Sequence, residues 1–355
     1  MPCARRKLTP PDRAELVAAA VRHLRAGELC VLPTETVYGL ALLPSNAAAL
    51  SRARLMKGRA EDHPFTFHLA DAAAAEALVG PLSPRVTPLV KRYWPGPLSL
   101  VMPGRDGADV GMRVPANEFT RAVIAAAGEP LWLTSVNATG TPPLLDAAAI
   151  EAQFGAHLAL IVDDGPSPLG SASTVVRLAG QRLQVLREGI LSAREVFETA
   201  AELVVFVCTG NTCRSPLAEA IARDLTARRL GVAADEVLSC GYAFASAGTS
   251  TYDGMPASEN SVLAAAEIGL DLGAHQSRQI DHELVRAADH IYCLGESHRR
   301  AILAEMPEVA SRVHLLRPDG HDIADPYGGE LQHYRRARDE IRAAIGQRLP
   351  QWLPQ

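Results

Sequence analysis

Between positions 208 and 215 the chain reads Cys208-Thr209-Gly210-Asn211-Thr212-Cys213-Arg214-Ser215, a thiol and a guanidinium set in a run of small residues. A β-branched and aromatic run at 203–207 precedes it, and a helical pattern follows from Pro216 to about residue 230. The loop is therefore expected at a helix N-terminus, where unpaired amides and the helix dipole attract an oxyanion. Gly210 and Asn211 tolerate left-handed backbone angles, which lets successive amides turn inward as an anion nest. The same field favours the thiolate of Cys208, the nucleophilic form of cysteine. Arg214 supplies a planar fork for two phosphate oxygens. Ser215 suits the helix N-cap and Pro216 the first turn; the Ser215 hydroxyl can also donate to the departing thiolate. The chemistry this constellation suits is phosphoryl transfer through a thiophosphate, which calls for an acid on the leaving group. Asp325, in Asp322-Ile323-Ala324-Asp325-Pro326-Tyr327-Gly328-Gly329, is the candidate, first as acid and then as base toward water. Cys213 is either a spectator or the partner in a reversible disulfide that protects Cys208 from over-oxidation.

A second concentration of polar residues lies in the first half. It begins with Pro33-Thr34-Glu35-Thr36-Val37-Tyr38-Gly39-Leu40 after a strand, and continues with Lys57-Gly58-Arg59 at a helix end. Arg113-Val114-Pro115, Ser135-Val136-Asn137-Ala138-Thr139-Gly140, Ser173-Thr174-Val175 and Arg187-Glu188-Gly189 complete it. Hydroxyls and amides at strand ends, with separated cations, suit a phosphorylated ligand beside a small polar one. Each string alone reads more readily as a turn or a solvated face.

These residues need scaffolds of two kinds. Over the first ~195 residues, short apolar runs (29–32, 98–102, 131–133, 158–162) alternate with helical patterns at 11–26, 46–56 and 117–127, punctuated by Pro/Gly clusters, which predicts an α/β unit with a twisted mixed sheet. From 203 onward the alternation becomes regular. Strands near 203–207, 242–247, 290–294 and 313–316, with helices near 216–230, 256–268 and 330–349, predict a small doubly wound sheet of four parallel strands. In such a sheet the Asp325 loop and the Cys208 loop share the C-terminal edge of the strands. The expected domains are 1–195 and 201–355, joined through a short helical connection at 192–202.

At 355 residues two domains are the starting expectation. Basic and acidic residues number 20 and 18 over 1–195, and 15 and 22 beyond, so neither half has the cationic excess of a dedicated nucleic-acid binder. Lysine is nearly missing: Lys7, Lys57 and Lys91 stand against 32 arginines, which draws the eye to Lys57. Six dispersed cysteines make no disulfide framework, and zinc-type spacings are absent, so no structural metal is expected. No run approaches the ~20 apolar residues of a membrane span, and residues 1–7 lack a secretory signal's apolar stretch, so a cytoplasmic protein is expected.

Residues 203–350 resemble the low-molecular-weight protein phosphatase family. The resemblance rests on the 208–215 loop, Ser246-Ala247-Gly248-Thr249, His275-Gln276-Ser277-Arg278, Ala288-Asp289-His290-Ile291 and Asp325-Pro326-Tyr327, in that order. It implies Cys208 as nucleophile, Arg214 as phosphate binder and Asp325 as acid, with a phosphorylated protein as substrate. Tyrosine-directed members usually carry a bulky aliphatic residue where Thr212 stands and two aromatics after the Asp-Pro. Thr212 and Tyr327-Gly328-Gly329 look more like the bacterial protein-arginine phosphatase branch, whereas Tyr252 falls where tyrosine-directed members keep an aromatic wall. Phosphoarginine is the favoured substrate on that reading, with phosphotyrosine the alternative.

Residues 9–192 resemble the YrdC-like threonylcarbamoyl-AMP synthase family through the Pro33–Leu40 string, Lys57-Gly58-Arg59, Tyr93-Trp94-Pro95-Gly96-Pro97-Leu98 and Ser173-Thr174-Val175. That family condenses L-threonine, bicarbonate and ATP into threonylcarbamoyl-adenylate and pyrophosphate, for threonylcarbamoylation of tRNA by a transferase machinery. The resemblance implies Lys57, Arg59 and Arg187 on the triphosphate, Ser135, Asn137 and Ser173 on nucleotide and carbonyl groups, and Thr34, His68 and Arg113 on threonine. Mg²⁺ would come with ATP, and no permanently bound cofactor is implied. His63 stands where Asn or Lys is common, Thr139 and Ser99 exchange one hydroxyl residue for another, and Glu188 replaces a proline. The alternatives are an RNA-binding first half that delivers the phosphatase, and a thiol redox device or arsenate reductase in the second.

Overall fold

The computed structural model describes residues 3–58, 65–138 and 140–353. The chain forms two compact units, Met1–Ala200 and Ala201–Gln355. The helix Ala193–Ala200 belongs to the first, where Tyr93 Oη meets Thr199 Oγ1 at 3.0 Å.

Among the described residues of the first unit ten strands form one mixed sheet. They are β1 (Ala4–Lys7), β2 (Cys30–Leu32), β3 (Gly39–Leu42), β4 (Thr66–His68), β5 (Leu98–Pro103), β6 (Asp109–Arg113), β7 (Leu131–Ser135), β8 (Leu160–Asp163), β9 (Thr174–Ala179) and β10 (Arg182–Arg187). The order is β1-β8-β2-β3-β7-β4-β6-β5-β9-β10. The expected helices appear as Arg13–Arg25, Ala47–Lys57 and Glu118–Ala127. Their limits have local causes. The Asn46 and Asn117 side chains accept the amides of Ala49 and Thr120 at the N-termini, and Gly58 and Gly128 end the same two helices in the left-handed region. Apolar residues of β2, β3, β7 and β8 alternate between two cores. Cys30, Leu32, Leu133 and Val162 pack under Arg13–Arg25 and Glu118–Ala127, while Val31, Leu40, Leu42 and Ile161 face the opposite way.

In the second unit the described residues give four strands, β11 (Glu202–Cys208), β12 (Tyr242–Gly248), β13 (His290–Cys293) and β14 (Val313–Leu315), all parallel in the order β12-β11-β13-β14. The sheet is covered on both faces, as the unbroken apolar run of β11 requires. Val204, Phe206 and Cys208 face the helices Arg214–Leu230 and Leu331–Trp352, and Val205 and Val207 face His282–Ala287 and Glu296–Glu305. The chain leaves β11 to one side for β12 and then crosses to β13 on the other. The topological switch point, where open α/β sheets place their ligand crevice, is therefore the C-terminal end of β11. Cys208 is its last residue. Among the described residues no helix is long and apolar enough to cross a membrane.

Candidate active sites

In the second unit the loop after β11 runs straight into the helix Arg214–Leu230. Cys213, not Ser215, stands at the N-cap, and it makes no side-chain cap bond. The expectation for Ser215 as N-cap is corrected for a geometric reason: its hydroxyl is turned inward to the thiol. Ser215 Oγ lies 3.0 Å from Cys208 Sγ and accepts a 2.9 Å bond from Asn211 Nδ2. Left-handed geometry falls on Asn211 alone (φ 49°), and Gly210 is not in that region. Two bonds hold Asn211 there: its carbonyl is 2.7 Å from His275 Nε2, and its Oδ1 accepts the Arg278 amide at 2.9 Å. Because the Asn211 amide donates to Ser215, the hydrogen of Ser215 is available to Cys208, where it can stabilise a thiolate.

The loop rests on Gly248 at the end of β12. A Cβ there would come within 2.5 Å of the Thr209 carbonyl and 3.1 Å of the Asn211 amide, so only glycine admits the loop at this height. Arg214 is 5% exposed. Its Nη1 donates to the Ile323 carbonyl at 3.0 Å and its Nη2 to Asp325 Oδ2 at 2.5 Å, while Nε is buried without a partner among the described residues. A buried, unpaired guanidinium N–H at the floor of an anion nest is a donor waiting for an acceptor. Cys208, Thr209, Gly210, Thr212, Cys213, Arg214 and Asp325 line one cavity of about 650 Å³, with Tyr252 and Tyr327 at its rim, 85% and 77% exposed. Asn211 and Ser215 are buried behind it. Cys213 Sγ lies 3.3 Å from Ser258 Oγ and 3.8 Å from Tyr334 Oη, in a small buried cluster. His275, Arg278 and Gly248 have no role legible in the sequence, because they meet the loop only through the fold.

In the first unit a cavity of about 300 Å³ is lined by Thr34, His68, Arg113, Ser135, Asn137, Ser173 and Arg187, so the described residues expected to bind ligand converge. Arg59 lies outside the described residues, as do His63 and Thr139. Lys57 is 4% exposed and joins from the end of its helix: Nζ donates to the Ser135 carbonyl at 2.5 Å and to Asn137 Oδ1 at 3.1 Å. His68 and Arg113 are register partners on β4 and β6. His68 Nδ1 sits 3.2 Å from the Thr66 carbonyl, and burial, with Arg113 adding to it, pushes its pKa down to about 3. The imidazole is thus neutral, with Nε2 free of a proton and able to accept a hydrogen bond.

Two expected ligand groups are already engaged. Thr34 Oγ1 accepts the amides of Thr36 and Val37 at 3.3 and 3.2 Å, closing its own turn. Arg113 donates to the Gly96 carbonyl and Thr36 Oγ1, both at 2.9 Å, and to Glu35 at 2.5 Å. A carboxylate ligand would share Arg113 with Glu35, whose part is not legible in the sequence. At the other end Arg187 Nη2 donates to the Ser173 carbonyl at 2.9 Å, and Ser173 Oγ lies 2.9 Å from Ser99 Oγ. Gly189 makes this corner: a Cβ would stand 2.7 Å from the Ser173 carbonyl carbon. Burial, and then the Arg113 charge, lower the pKa of Arg187. Among the described residues no group of three or more His, Cys, Asp or Glu is placed to hold a metal ion.

The second site has the form of an anion-binding loop at a switch point, and the first that of a cationic pocket on a mixed sheet. Residues 22–189 match the Sua5/yciO/yrdC family model, described as "Telomere recombination", and residues 203–353 match the model for low molecular weight phosphotyrosine protein phosphatase. A Mycobacterium tuberculosis protein provisionally named threonylcarbamoyl-AMP synthase is 32% identical over 198 residues, covering 53% of this chain and 91% of that protein. The protein-arginine-phosphatase of Geobacillus stearothermophilus is 35% identical over 147 residues, covering 40% of this chain and 90% of that enzyme. A double variant of Pyrococcus abyssi Sua5 shares the fold, with a TM-score of 0.51 at 23% identity over 68% of this chain and 91% of that one. The chain belongs to both families, with a Sua5/yciO/yrdC member in front and a low-molecular-weight phosphatase behind. It spans about half (55%) of the Bacillus subtilis threonylcarbamoyl-AMP synthase, to which it is 33% identical over 190 residues covering 51% of this chain.

Proposed function

We propose that the chain is a bifunctional enzyme, a threonylcarbamoyl-AMP synthase followed by a cysteine-dependent protein phosphatase. The observation that carries the second half is the Cys208–Ser215–Asn211 network facing Arg214 and Asp325 across one cavity. Cys208 Sγ attacks the phosphorus, the bond from phosphorus to the leaving atom breaks, and Asp325 gives that atom a proton. Water, giving its proton to Asp325 as base, then attacks the phosphorus; the O–P bond forms as the S–P bond breaks, and the thiolate leaves with Ser215 donating to it. Arg214 and the loop amides hold the phosphoryl oxygens throughout. Thr212, half-buried at the mouth, and the Tyr327-Gly328-Gly329 turn favour phosphoarginine over phosphotyrosine, as does the name of the Geobacillus relative. A thiol redox or arsenate-reducing role is less favoured, because it does not require an acid at the position of Asp325.

In the first unit L-threonine, bicarbonate and ATP become threonylcarbamoyl-AMP and pyrophosphate, with the product passing to tRNA modification in the cytoplasm. Lys57, Arg59 and Arg187 neutralise the phosphates, Ser135, Asn137 and Ser173 fix nucleotide and carbonyl groups, and Thr34, His68 and Arg113 surround threonine. The cavity offers cations and hydroxyls, and Glu35 is tied to Arg113, so Mg²⁺ enters as part of the ATP substrate. Catalysis is then positioning and charge neutralisation. The near balance of charge over 1–195 weighs against a passive RNA-binding module.

Hydrolysis assays on phosphoarginine and on an aryl phosphate test the second half. Cys208→Ser should abolish both activities. Asp325→Asn should slow them by about a hundredfold or more, while inorganic phosphate still binds. Full activity of the Cys208→Ser protein would refute the mechanism.

A further inference from the structure

One wall of the cavity around Cys208 comes from an irregular segment, residues 249–255, between β12 and the helix Glu259–Ala266. Its far end is the turn Tyr252-Asp253-Gly254-Met255, with Gly254 in the left-handed region (φ 87°). Tyr252 opens the turn and stands at the rim of the cavity. Ser277, buried at 2% exposure, meets this turn with every polar group it has. Its amide donates to the Met255 carbonyl, and its carbonyl accepts the Gly254 amide, both at 2.8 Å. Its hydroxyl accepts the Met255 amide at 3.0 Å and donates to the Tyr252 carbonyl at 2.6 Å.

The directions of the two hydroxyl bonds are fixed by their partners. An amide N–H only donates and a carbonyl only accepts, so the one hydrogen of the Ser277 hydroxyl lies toward Tyr252. The hydroxyl therefore stands between the two groups that a closed turn joins directly, the carbonyl of its first residue and the amide of its fourth. Without it those ends are free to bond each other or to take up water, and either change resets the backbone that carries Tyr252. The near end of the wall has its own support: the Thr249 and Ser250 amides donate to the carbonyls of Cys208 and Thr209 at 2.9 and 3.0 Å. Those bonds do not use the Ser277 side chain, and neither do the bonds of His275 and Arg278 to Asn211. The anion nest and the turn are thus held separately. A further tie to the turn lies at the surface, where Asp253 Oδ1 accepts the Gln279 amide at 2.7 Å.

We infer, on the phosphatase reading of this unit, that the turn is a specificity element and Ser277 its positioning residue: the inserted hydroxyl holds the turn open and so sets Tyr252 against the leaving group. The nest and Arg214 take the phosphoryl oxygens, so what meets the rim is the rest of the substrate. That is the ring of a phosphotyrosine or the planar guanidino group of a phosphoarginine, and either can lie against a phenol ring. Ser277 is not among the residues that line the cavity, and it acts through Tyr252.

The test is steady-state hydrolysis, by the full chain, of whichever peptide the wild type cleaves faster, phosphoarginine or phosphotyrosine, together with inhibition by inorganic phosphate. Ser277→Ala should raise KM by about fivefold or more with kcat within about twofold, since the wall binds the leaving group alike in ground and transition states. The inhibition constant of phosphate, which has no leaving group, should move by less than about twofold. In a Tyr252→Ala background Ser277→Ala should change KM by less than about twofold, because the residue it acts through is gone. An unchanged KM, an equal rise with and without Tyr252, or a loss of phosphate affinity as large as the rise in KM overturns the role of Ser277. Melting temperatures report on the fold. Should Ser277→Ala not fold, Asp253→Ala and Asp253→Asn carry the test at the surface tie: the alanine variant should raise KM about threefold, and the asparagine variant, which keeps the accepting oxygen, should match wild type. Equal KM in those two variants overturns the role of the turn. A wild type that hydrolyses neither peptide and is blind to phosphate overturns the phosphatase reading, and this inference with it; an active wild type matched by its variants overturns this inference alone.

Discussion

Asn211 gives the phosphate loop a shape its small neighbours could not keep unaided. A left-handed asparagine is tolerable but not favoured, and here the backbone is held by His275 and the side chain by Ser215 and the Arg278 amide. One residue thus couples loop geometry to the state of the Cys208 thiol. Thr212 sits beside it at the mouth, where it is proposed to bias substrate choice. Its methyl and hydroxyl leave room that an aliphatic chain would fill, so Thr212→Ile should move the ratio of kcat/KM for phosphotyrosine over phosphoarginine upward by roughly tenfold. Peptides carrying each modification measure the ratio, and an unmoved value would show that Thr212 does not select the substrate. Cys208, Thr212 and Arg214 could be named as candidates in the sequence because they share one short loop, and Asp325 because of its Asp-Pro-Tyr string. Glu35 and Arg278 could not, since each acts across more than sixty residues of chain through contacts that only the folded strands create.

At the scale of elements, the position of the second site is set by strand order. β11 lies between β12 and β13, so the loops leaving its end and the end of β12 meet around Cys208. Periodicity in the sequence was enough to find the strands, and Pro216 was enough to find the helix. The N-cap was misread because Ser215 and Cys213 are both small and polar enough for it, and only the inward turn of Ser215 decides between them. The meeting of β12 with the loop is also beyond the reach of pattern, and it yields a prediction. Gly248→Ala places a methyl against the Thr209 carbonyl, so the variant should lose about 1–3 kcal/mol of stability and most of its phosphate affinity. Denaturant titration and phosphate calorimetry read the two effects, and normal values for both would mean that the loop does not depend on this close approach.

For the molecule as a whole, each unit has its own core and its own site. The cores of the first unit draw on residues up to Ala200, and those of the second begin at Val204 and Val205. The first site needs the length of its sheet: its cavity takes residues from β4 through β7, from the ends of β9 and β10, and from the loop joining β2 to β3. That breadth explains why its motifs were weak singly and informative together. Nothing in the proposed chemistry passes from one cavity to the other, so each half should survive loss of the other. The central claim, two enzymes in one chain, is tested most directly by pyrophosphate release from Mg-ATP, with and without L-threonine and bicarbonate, using wild type, Cys208→Ser and Lys57→Met. The account predicts release that depends on threonine and bicarbonate, equal in wild type and Cys208→Ser, and at least about a hundredfold slower in Lys57→Met. Release that ignores threonine, or that is lost with Cys208, would contradict it.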